Sequence, residues 1–207
     1  MALFKRHSFR PYSDETYAAI RANVMNDNNP SAKAYSGTAK TLHWIMGALV
    51  LLMLAGASQM PEGIGPEKVE ATRGHTGFGL ILAAVALAAF ANRLRQPPPP
   101  LPDSIAAWQR TLSTWTHRAL YLLIGLQVIA GIGQSATAPY EVRSFGIIPL
   151  SDLAADDRAW FGVFRELHEI GAYGLFLLAA LHIGAALYHH FIAKDVVLRR
   201  MWPRAKL

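Results

Sequence analysis

Two histidines near the end of the chain combine residue type and spacing in a way that indicates metal chemistry. His182 lies in a run with no Asp, Glu, Lys or Arg between Glu169 and Lys194, and His168 stands fourteen residues before it. In a helix, fourteen residues return to within about 40° of the starting direction and rise by roughly 21 Å. Both imidazoles would then face one side, one near each end of a membrane span. Ionisable groups at membrane depth are costly and usually functional, and imidazole is an axial ligand of haem iron.

The composition places this stretch in a membrane protein. The chain has 207 residues, of which 52% are hydrophobic and only 16% are charged, and its mean hydropathy is +0.20. Soluble domains carry about 25% charged residues. The absence of cysteine excludes disulfides, thiolate-bound iron–sulfur clusters and covalent CxxCH haem attachment. Any haem must therefore be held non-covalently, most simply by histidine.

Four apolar runs are long enough to cross a bilayer as helices. They cover residues 41–60, 74–91, 117–134 and 167–190. A soluble four-helix bundle would need a polar face on every helix, which these runs lack. We therefore predict an all-α membrane protein with a four-helix transmembrane bundle over residues 39–193. A polar extension over residues 1–38 and a basic tail over residues 194–207 flank it, and no apolar core of a cleaved export signal precedes Lys40.

The lysines and arginines predict how the bundle is oriented. Of the 20 in the chain, 15 lie at the end that holds both termini and 5 at the other end. Those five are Lys68, Arg73, Arg143, Arg158 and Arg165. Because positive residues stay on the cytoplasmic side, both termini are predicted to be cytoplasmic. The pI of 9.8 then reflects topology and attraction to anionic membrane lipid, and nucleic-acid binding is not expected.

Depth decides which histidines pair. His43 opens the first run at the cytoplasmic side, whereas His75 opens the second run at the outer side. In the fourth run, His168 lies at the outer end and His182 within about 12 Å of the cytoplasmic end. We therefore predict that His75 pairs with His168, and His43 with His182, each pair clamping one b-type haem in the bundle core. Two haems at these depths would form an electron path across the bilayer.

Further basic side chains lie near each predicted haem. At the cytoplasmic boundary, four are predicted to line a quinone or proton site, or simply to lie in the interface: His117, Arg118, His189 and Lys194. At the outer side, Arg73 and Arg165 are predicted to pair with haem propionates. Together with Lys68 they could instead form a basic funnel that attracts an anion.

Five sequence blocks carry a family resemblance over about residues 38–204. They are LHW at 42–44, RGHTGFG around His75, THRALYLLIGLQVIAGIG in the third run, FGIIPL, and LHEIGAYGLFLLAALHIGAALYHHFIAKDVVLRRMWPR. With these blocks the chain resembles the prokaryotic cytochrome b561 family. The resemblance implies a four-helix, di-haem b electron carrier of the bacterial inner membrane, with His43, His75, His168 and His182 as ligands. Some members resemble a superoxide oxidase that passes electrons to ubiquinone, and others carry electrons for partner proteins.

Three functions remain open from the sequence. The first is a superoxide:ubiquinone oxidoreductase, although nine acidic against five basic residues leave the outer side at about −4, which opposes long-range steering of superoxide. The second is a carrier or accessory subunit of a larger respiratory or photosynthetic complex, docked through residues 1–38 or the outer loops. The third is a structural membrane protein whose histidines bind nothing.

Overall fold

Four long helices make up most of the protein. The computed structural model describes residues 34–63 and 65–203, together with residues 13, 15 and 18, so most of the predicted extension over residues 1–38 lies outside the described residues. The helices are α1 (Gly37–Ala57), α2 (Pro66–Arg95), α3 (Ala107–Ala136) and α4 (Arg158–Tyr188). All four are long and apolar enough to cross a membrane. The predicted four-helix transmembrane fold is therefore confirmed.

The helices differ from the apolar runs at their ends. All four helices begin before the runs that predicted them, because polar residues continue each helix beyond its apolar part. At its other end, α1 stops at Ala57, short of the predicted residue 60. There the Ser58 hydroxyl donates a hydrogen bond to the carbonyl of Ala55, and the chain turns away. Hydropathy predicts the membrane-crossing part of a helix better than its termini.

The interior of the bundle is small and its surface is apolar. α1 packs mainly on α2 and α3 mainly on α4, with a smaller contact between α2 and α3. The central core takes one buried residue from each helix: Val50, Leu82, Ile124 and Leu175. Long apolar side chains elsewhere face outward, and Leu87 remains 70% exposed. Such outward-facing apolar surface is expected for helices that are solvated by lipid.

A small cap follows α3 at what we call the hairpin end of the bundle. It contains the antiparallel strands β1 (Arg143–Ser144) and β2 (Ile148–Pro149), and then a 3₁₀ turn over Leu150–Leu153. The three residues Phe145, Gly146 and Ile147 connect the strands. Phe145 and Gly146 have φ of 51° and 74°, which lets the Ile147 N–H donate to the carbonyl of Ser144 and close the turn. The Phe145 ring lies on Gly77, where a Cβ atom would come within 2.6 Å of it. This contact fixes the cap against α2.

The chain reverses at the opposite end of the bundle, which we call the terminal end. After α4, one π-helical turn covers His189–Ala193, and Lys194 adopts a left-handed conformation with φ of 53°. The following residues return to the bundle through a 3₁₀ turn over Arg199–Met201. Arg200 is fully buried there. Part of the basic tail is thus packed against the helices.

Candidate functional site

Three histidines meet near the terminal end. The rings of His43 on α1 and His182 on α4 have centroids 6.0 Å apart and planes inclined by 72°. His117 on α3 lies closer to His182, with a centroid distance of 5.0 Å and an inclination of 82°. The Nδ1–H of His117 donates to the carbonyl of Ser113 over 2.7 Å. Its Nε2 atom therefore keeps a lone pair while the imidazole is neutral.

Two histidines meet near the hairpin end. The rings of His75 on α2 and His168 on α4 have centroids 6.0 Å apart and planes inclined by 74°. The Nδ1–H of His168 donates to the carbonyl of Gln127 over 3.1 Å, which leaves Nε2 as the free nitrogen. Gly131, one turn later on α3, lets the ring approach, because a Cβ there would lie 3.2 Å from Cε1 of His168.

The pairing follows the depth argument from the sequence. One ring of each pair comes from α4, and His168 and His182 both turn toward the bundle interior to meet α2 and α1 respectively. Fourteen helical residues separate them by roughly 21 Å along the axis. The structure thus brings the predicted partners together, while their role as iron ligands remains a prediction.

The donor set fits haem better than a bare metal ion. Within the described residues, no cluster of three or more His, Cys, Asp or Glu side chains has the geometry to hold a metal ion. Each pair offers two nitrogen atoms, and two metal–nitrogen bonds of about 2 Å on opposite sides of one iron place the ring centroids roughly 6 Å apart. Both pairs match that separation. A macrocycle would complete the coordination, as in haem proteins with two axial histidines.

Two cations lie near the hairpin-end pair. Lys68 on α2 is close enough to His75 and to Arg165 on α4 for its charge to interact with both. Beside them, the Tyr140 hydroxyl lies near the Thr72 side chain, and burial raises the pKa of Tyr140, so the phenol stays neutral. Sequence reasoning missed the last two residues. Tyr140 follows α3 and Thr72 lies on α2. They come together only because the hairpin packs on α2, and no local sequence pattern indicates this.

Arg73 has a different environment from Arg165. Its Nη1 atom pairs with the Glu70 carboxylate over 2.8 Å, and its carbonyl accepts a hydrogen bond from the Phe145 N–H over 3.0 Å. By helical periodicity it lies about 160° from His75 around α2. The two arginines that were predicted together therefore have different surroundings. Arg165 interacts electrostatically with Lys68 and Tyr140, whereas Arg73 is paired with the Glu70 carboxylate.

The four basic residues predicted at the cytoplasmic boundary lie in two separate places, and two of them line a cavity. His117 and Arg118 line a cavity of about 750 Å³ between α2 and α3, together with Arg93 and Tyr121 at its polar end. The rest of the lining is mostly apolar and includes Gly125. We call this cavity the α2–α3 groove.

The remaining two residues lie in the reversal after α4. The Nδ1–H of His189 donates to the Asp195 carboxylate over 2.5 Å, and Lys194 occupies the left-handed position of the turn. Neither lines the α2–α3 groove. The structure therefore separates the predicted quinone contacts into two places.

This fold and this donor set define a helical membrane cytochrome, in which half-buried imidazoles from different transmembrane helices face one another at two depths. The sequence matches the model of the prokaryotic cytochrome b561 family over residues 34–204, and the chain belongs to that family. The predicted family membership is therefore confirmed. As a member, the protein holds b-type haem and carries electrons in a bacterial membrane.

Three curated relatives match over most of their length. Cytochrome b561 homolog 1 of Escherichia coli K12 is 28% identical over 183 residues, covering 83% of this chain and 98% of the relative. A Yersinia pestis protein named probable superoxide oxidase is 27% identical over 177 residues, covering 84% and 98%. Cytochrome b561 homolog 2 of Escherichia coli K12 is 33% identical over 128 residues, covering 61% and 68%.

Proposed function

We propose that the protein transfers electrons across the bacterial inner membrane through two b-type haems, from a donor at the hairpin end to ubiquinone at the terminal end. The observation that carries this proposal is the pair of facing imidazoles at each depth. His75 and His168 would hold one haem iron at the hairpin end, and His43 and His182 would hold the other at the terminal end. Because α4 supplies one ligand to each pair, a single helix sets the distance between the two centres.

The chain contributes orientation and a dry environment. Bound haem supplies a one-electron Fe(III)/Fe(II) couple, and its potential depends on ligand identity and burial. The hydrogen bond from His168 to the Gln127 carbonyl holds that imidazole in the tautomer that presents Nε2. Apolar helix surfaces and surrounding lipid exclude water from both pairs. The orientation of the His168 ring is therefore set before any electron arrives.

The proposed orientation places the terminal end in the cytoplasm. The 15 to 5 division of lysine and arginine supports it. In this arrangement residues 1–38 form a cytoplasmic extension, residues 39–193 the haem-binding bundle and residues 194–207 a cytoplasmic tail. The tail packs partly against the bundle through the buried Arg200, and its exposed Arg199 would then face the anionic inner leaflet.

The α2–α3 groove is the proposed quinone site. Its volume of about 750 Å³ is in the range of small-molecule pockets. Arg93, Arg118 and Tyr121 can donate hydrogen bonds to a quinone head group, while the apolar walls suit an isoprenoid tail. His117 lines the groove and also touches His182. The groove therefore adjoins the terminal-end pair, and reduction there takes two electrons and two protons for each quinone.

Superoxide is the first candidate donor. The Yersinia pestis relative bears the name of a superoxide oxidase, and the adjacent charges of Lys68 and Arg165 near His75 create a local field that attracts an anion. Two superoxide ions would lose one electron each to form dioxygen, which matches the two electrons that a quinone accepts. Arg165 is alternatively a partner for a haem propionate.

A carrier or accessory subunit is the second candidate, with a protein as the donor. The acidic surface of the hairpin end favours it. Asp152 and Asp156 are exposed and, within the described part of the chain, form no ion pair. A basic redox protein would be attracted by this surface. Residues 1–38 offer a further docking segment on the opposite side of the membrane.

Haem quantification with single-histidine variants tests the proposal. The wild-type protein should bind two haems per chain, with the α-band of reduced b-type haem. His75→Ala and His168→Ala should each lose the same haem, and His43→Ala and His182→Ala the other one. His190→Ala, an exposed histidine after the same helix, is the matched control and should keep both. One haem per wild-type chain, or a pair whose two variants lose different haems, would overturn the assignment.

Two measurements separate the candidate donors. Rapid mixing of the oxidised protein with superoxide should reduce haem faster than superoxide disproportionates if superoxide is the donor. Purification in mild detergent should retain a second polypeptide if the protein is a subunit. A protein that reacts slowly with superoxide and retains a partner would support the second candidate, whereas a fast reaction of the isolated chain would support the first.

A further inference from the structure

The returning tail bonds directly to the residue after His43. The indole N–H of Trp44 on α1 donates to the carbonyl of Met201 over 2.8 Å. The rings of Trp44 and Trp202 meet edge to face with centroids 6.0 Å apart. Trp44 in turn packs edge to face on His43, at a centroid distance of 5.8 Å. A rotation of the first turns of α1 would therefore move both the tail contact and the His43 ring.

Arg200 holds this part of the tail in place. It is fully buried, and burial lowers the pKa of its guanidinium. Its Nη2 atom donates to the carbonyl of Pro99 over 3.1 Å, and its guanidinium lies 5.6 Å from the centre of the Tyr35 ring. The Tyr35 N–H also donates to the carbonyl of Arg200 over 3.3 Å. One residue thus joins the tail, the segment before α1 and the connection between α2 and α3.

The helices that carry the terminal-end pair need such a link. α1 packs mainly on α2, and α4 mainly on α3, so extensive helix packing does not hold His43 against His182. The tail continues directly from α4 and returns to α1 at Trp44. It is therefore a covalent extension of one ligand-bearing helix that is hydrogen-bonded to the other, one residue from the ligand.

We infer that this tail clasp, formed by Trp44, Arg200 and Met201, is a positioning element of the terminal-end haem. It sets the rotation of α1 and hence the angle and distance at which His43 meets His182. The inference rests on the proposed assignment of these two histidines as axial ligands. The hairpin-end pair has no part in the clasp, so it provides an internal reference within the same molecule.

Redox titration of the full-length protein, followed by visible and electron paramagnetic resonance spectroscopy, tests the inference. Trp44→Phe keeps an aromatic ring but removes the donor to Met201, and Arg200→Met keeps a long side chain but removes the guanidinium. Arg199→Met is the matched control, because Arg199 is the exposed neighbour with the same charge. The single-haem variants His168→Ala and His182→Ala assign each signal to one pair.

Both clasp variants should shift the reduction potential of the terminal-end haem alone. We expect about a tenfold change in its reduction equilibrium, which is about 59 mV for one electron. Its low-spin signal should also change, while the potential and spectrum of the hairpin-end haem should not. Arg199→Met should change neither. The rate of hydrogen–deuterium exchange at residues 196–202 should rise in both clasp variants. This measurement does not depend on haem.

Three outcomes would overturn the inference. The first is faster exchange in the tail with both potentials and both spectra unchanged. The second is an equal shift of both haems, which would indicate general destabilisation. The third is an Arg199→Met variant that behaves like Arg200→Met. If Arg200→Met does not fold, Trp44→Phe decides alone. A wild-type protein that holds a single haem would instead contradict the proposed function, and the two failures are therefore distinguishable.

Discussion

Replacing Gly131 by alanine should disturb the hairpin-end haem without touching the other. A Cβ at this position would lie 3.2 Å from Cε1 and 3.4 Å from Nδ1 of His168. These distances are shorter than ordinary carbon contacts, so the imidazole must move away from α3 by a few tenths of an ångström. The carbonyl of Gln127 that accepts its hydrogen bond belongs to the same helix. The displacement therefore lengthens that bond from 3.1 Å toward the limit of useful hydrogen bonding.

The expected loss of haem affinity follows from the strength of the hydrogen bond between His168 and Gln127. A hydrogen bond of this kind contributes about 1 kcal/mol, and its loss corresponds to roughly a fivefold weaker affinity for haem at one site. Removal of an outer-shell partner of a metal-ligating histidine has effects of about this size or larger. The terminal-end pair lies roughly 21 Å away along α4. Its haem should remain bound with an unchanged spectrum.

Haem retention during stepwise dilution in detergent measures this effect. Gly125→Ala is the matched control, because it is on the same helix and has no heavy atom within 4 Å of the new Cβ. Both substitutions raise helix propensity by a similar amount, so the comparison isolates the contact with His168. The reasoning would be refuted if Gly131→Ala retained both haems as strongly as Gly125→Ala, or if it released the terminal-end haem first.

Three further predictions concern the cap, its buried phenol and the groove. Gly77→Ala should cost about 1–3 kcal/mol of stability through overpacking against the cap, whereas Gly74→Ala, with open space around its Cβ, should be neutral or stabilising in thermal unfolding. Because burial raises the pKa of Tyr140, the fold favours the neutral phenol. The fold should therefore lose stability as pH rises above about 10 and through the raised pKa, where the phenol ionises, and Tyr140→Phe should lose less stability on going to alkaline pH. Gly125→Phe should fill the groove and lower the rate of quinone reduction at least tenfold, while dithionite still reduces both haems. The control is Leu126→Phe, at an exposed position outside the groove, which should leave that rate unchanged.

The helices and the pairing of the histidines are predictable because both depend on local sequence. Hydropathy identifies a span from about twenty consecutive residues, and helical periodicity places His168 and His182 on one face without any tertiary information. The same periodicity also distinguishes Lys68 from Arg73 by the side of α2 on which each lies. Lys68 lies seven residues before His75 and within about 20° of its direction, whereas Arg73 points roughly 160° away. Glu70 stands three residues before Arg73, which is the spacing of a helical ion pair.

The cap and the tail are not predictable in this way. Tyr140 reaches Thr72 across 68 positions of sequence, and this contact exists only because the Phe145 hairpin packs on α2. Arg200 donates to Pro99, 101 positions away. A basic tail reads as a lipid-facing segment from its charge alone. Nothing in its composition indicates that one guanidinium is fully buried among three chain segments.

If the four histidines are the ligands as proposed, the two haem sites should respond separately to change. α4 is a continuous helix that carries one histidine of each pair, and its rise fixes the distance between the pairs. The other histidine of each pair stands on a different helix, and each of those helices is held at its own end of the bundle. The cap packs on α2 close to His75, and the tail bonds to α1 beside His43. Substitutions in the cap should therefore change the hairpin-end potential, and substitutions in the tail the terminal-end potential. A difference in potential between the sites, and with it the preferred direction of electron flow, could then be adjusted without altering any of the four histidines.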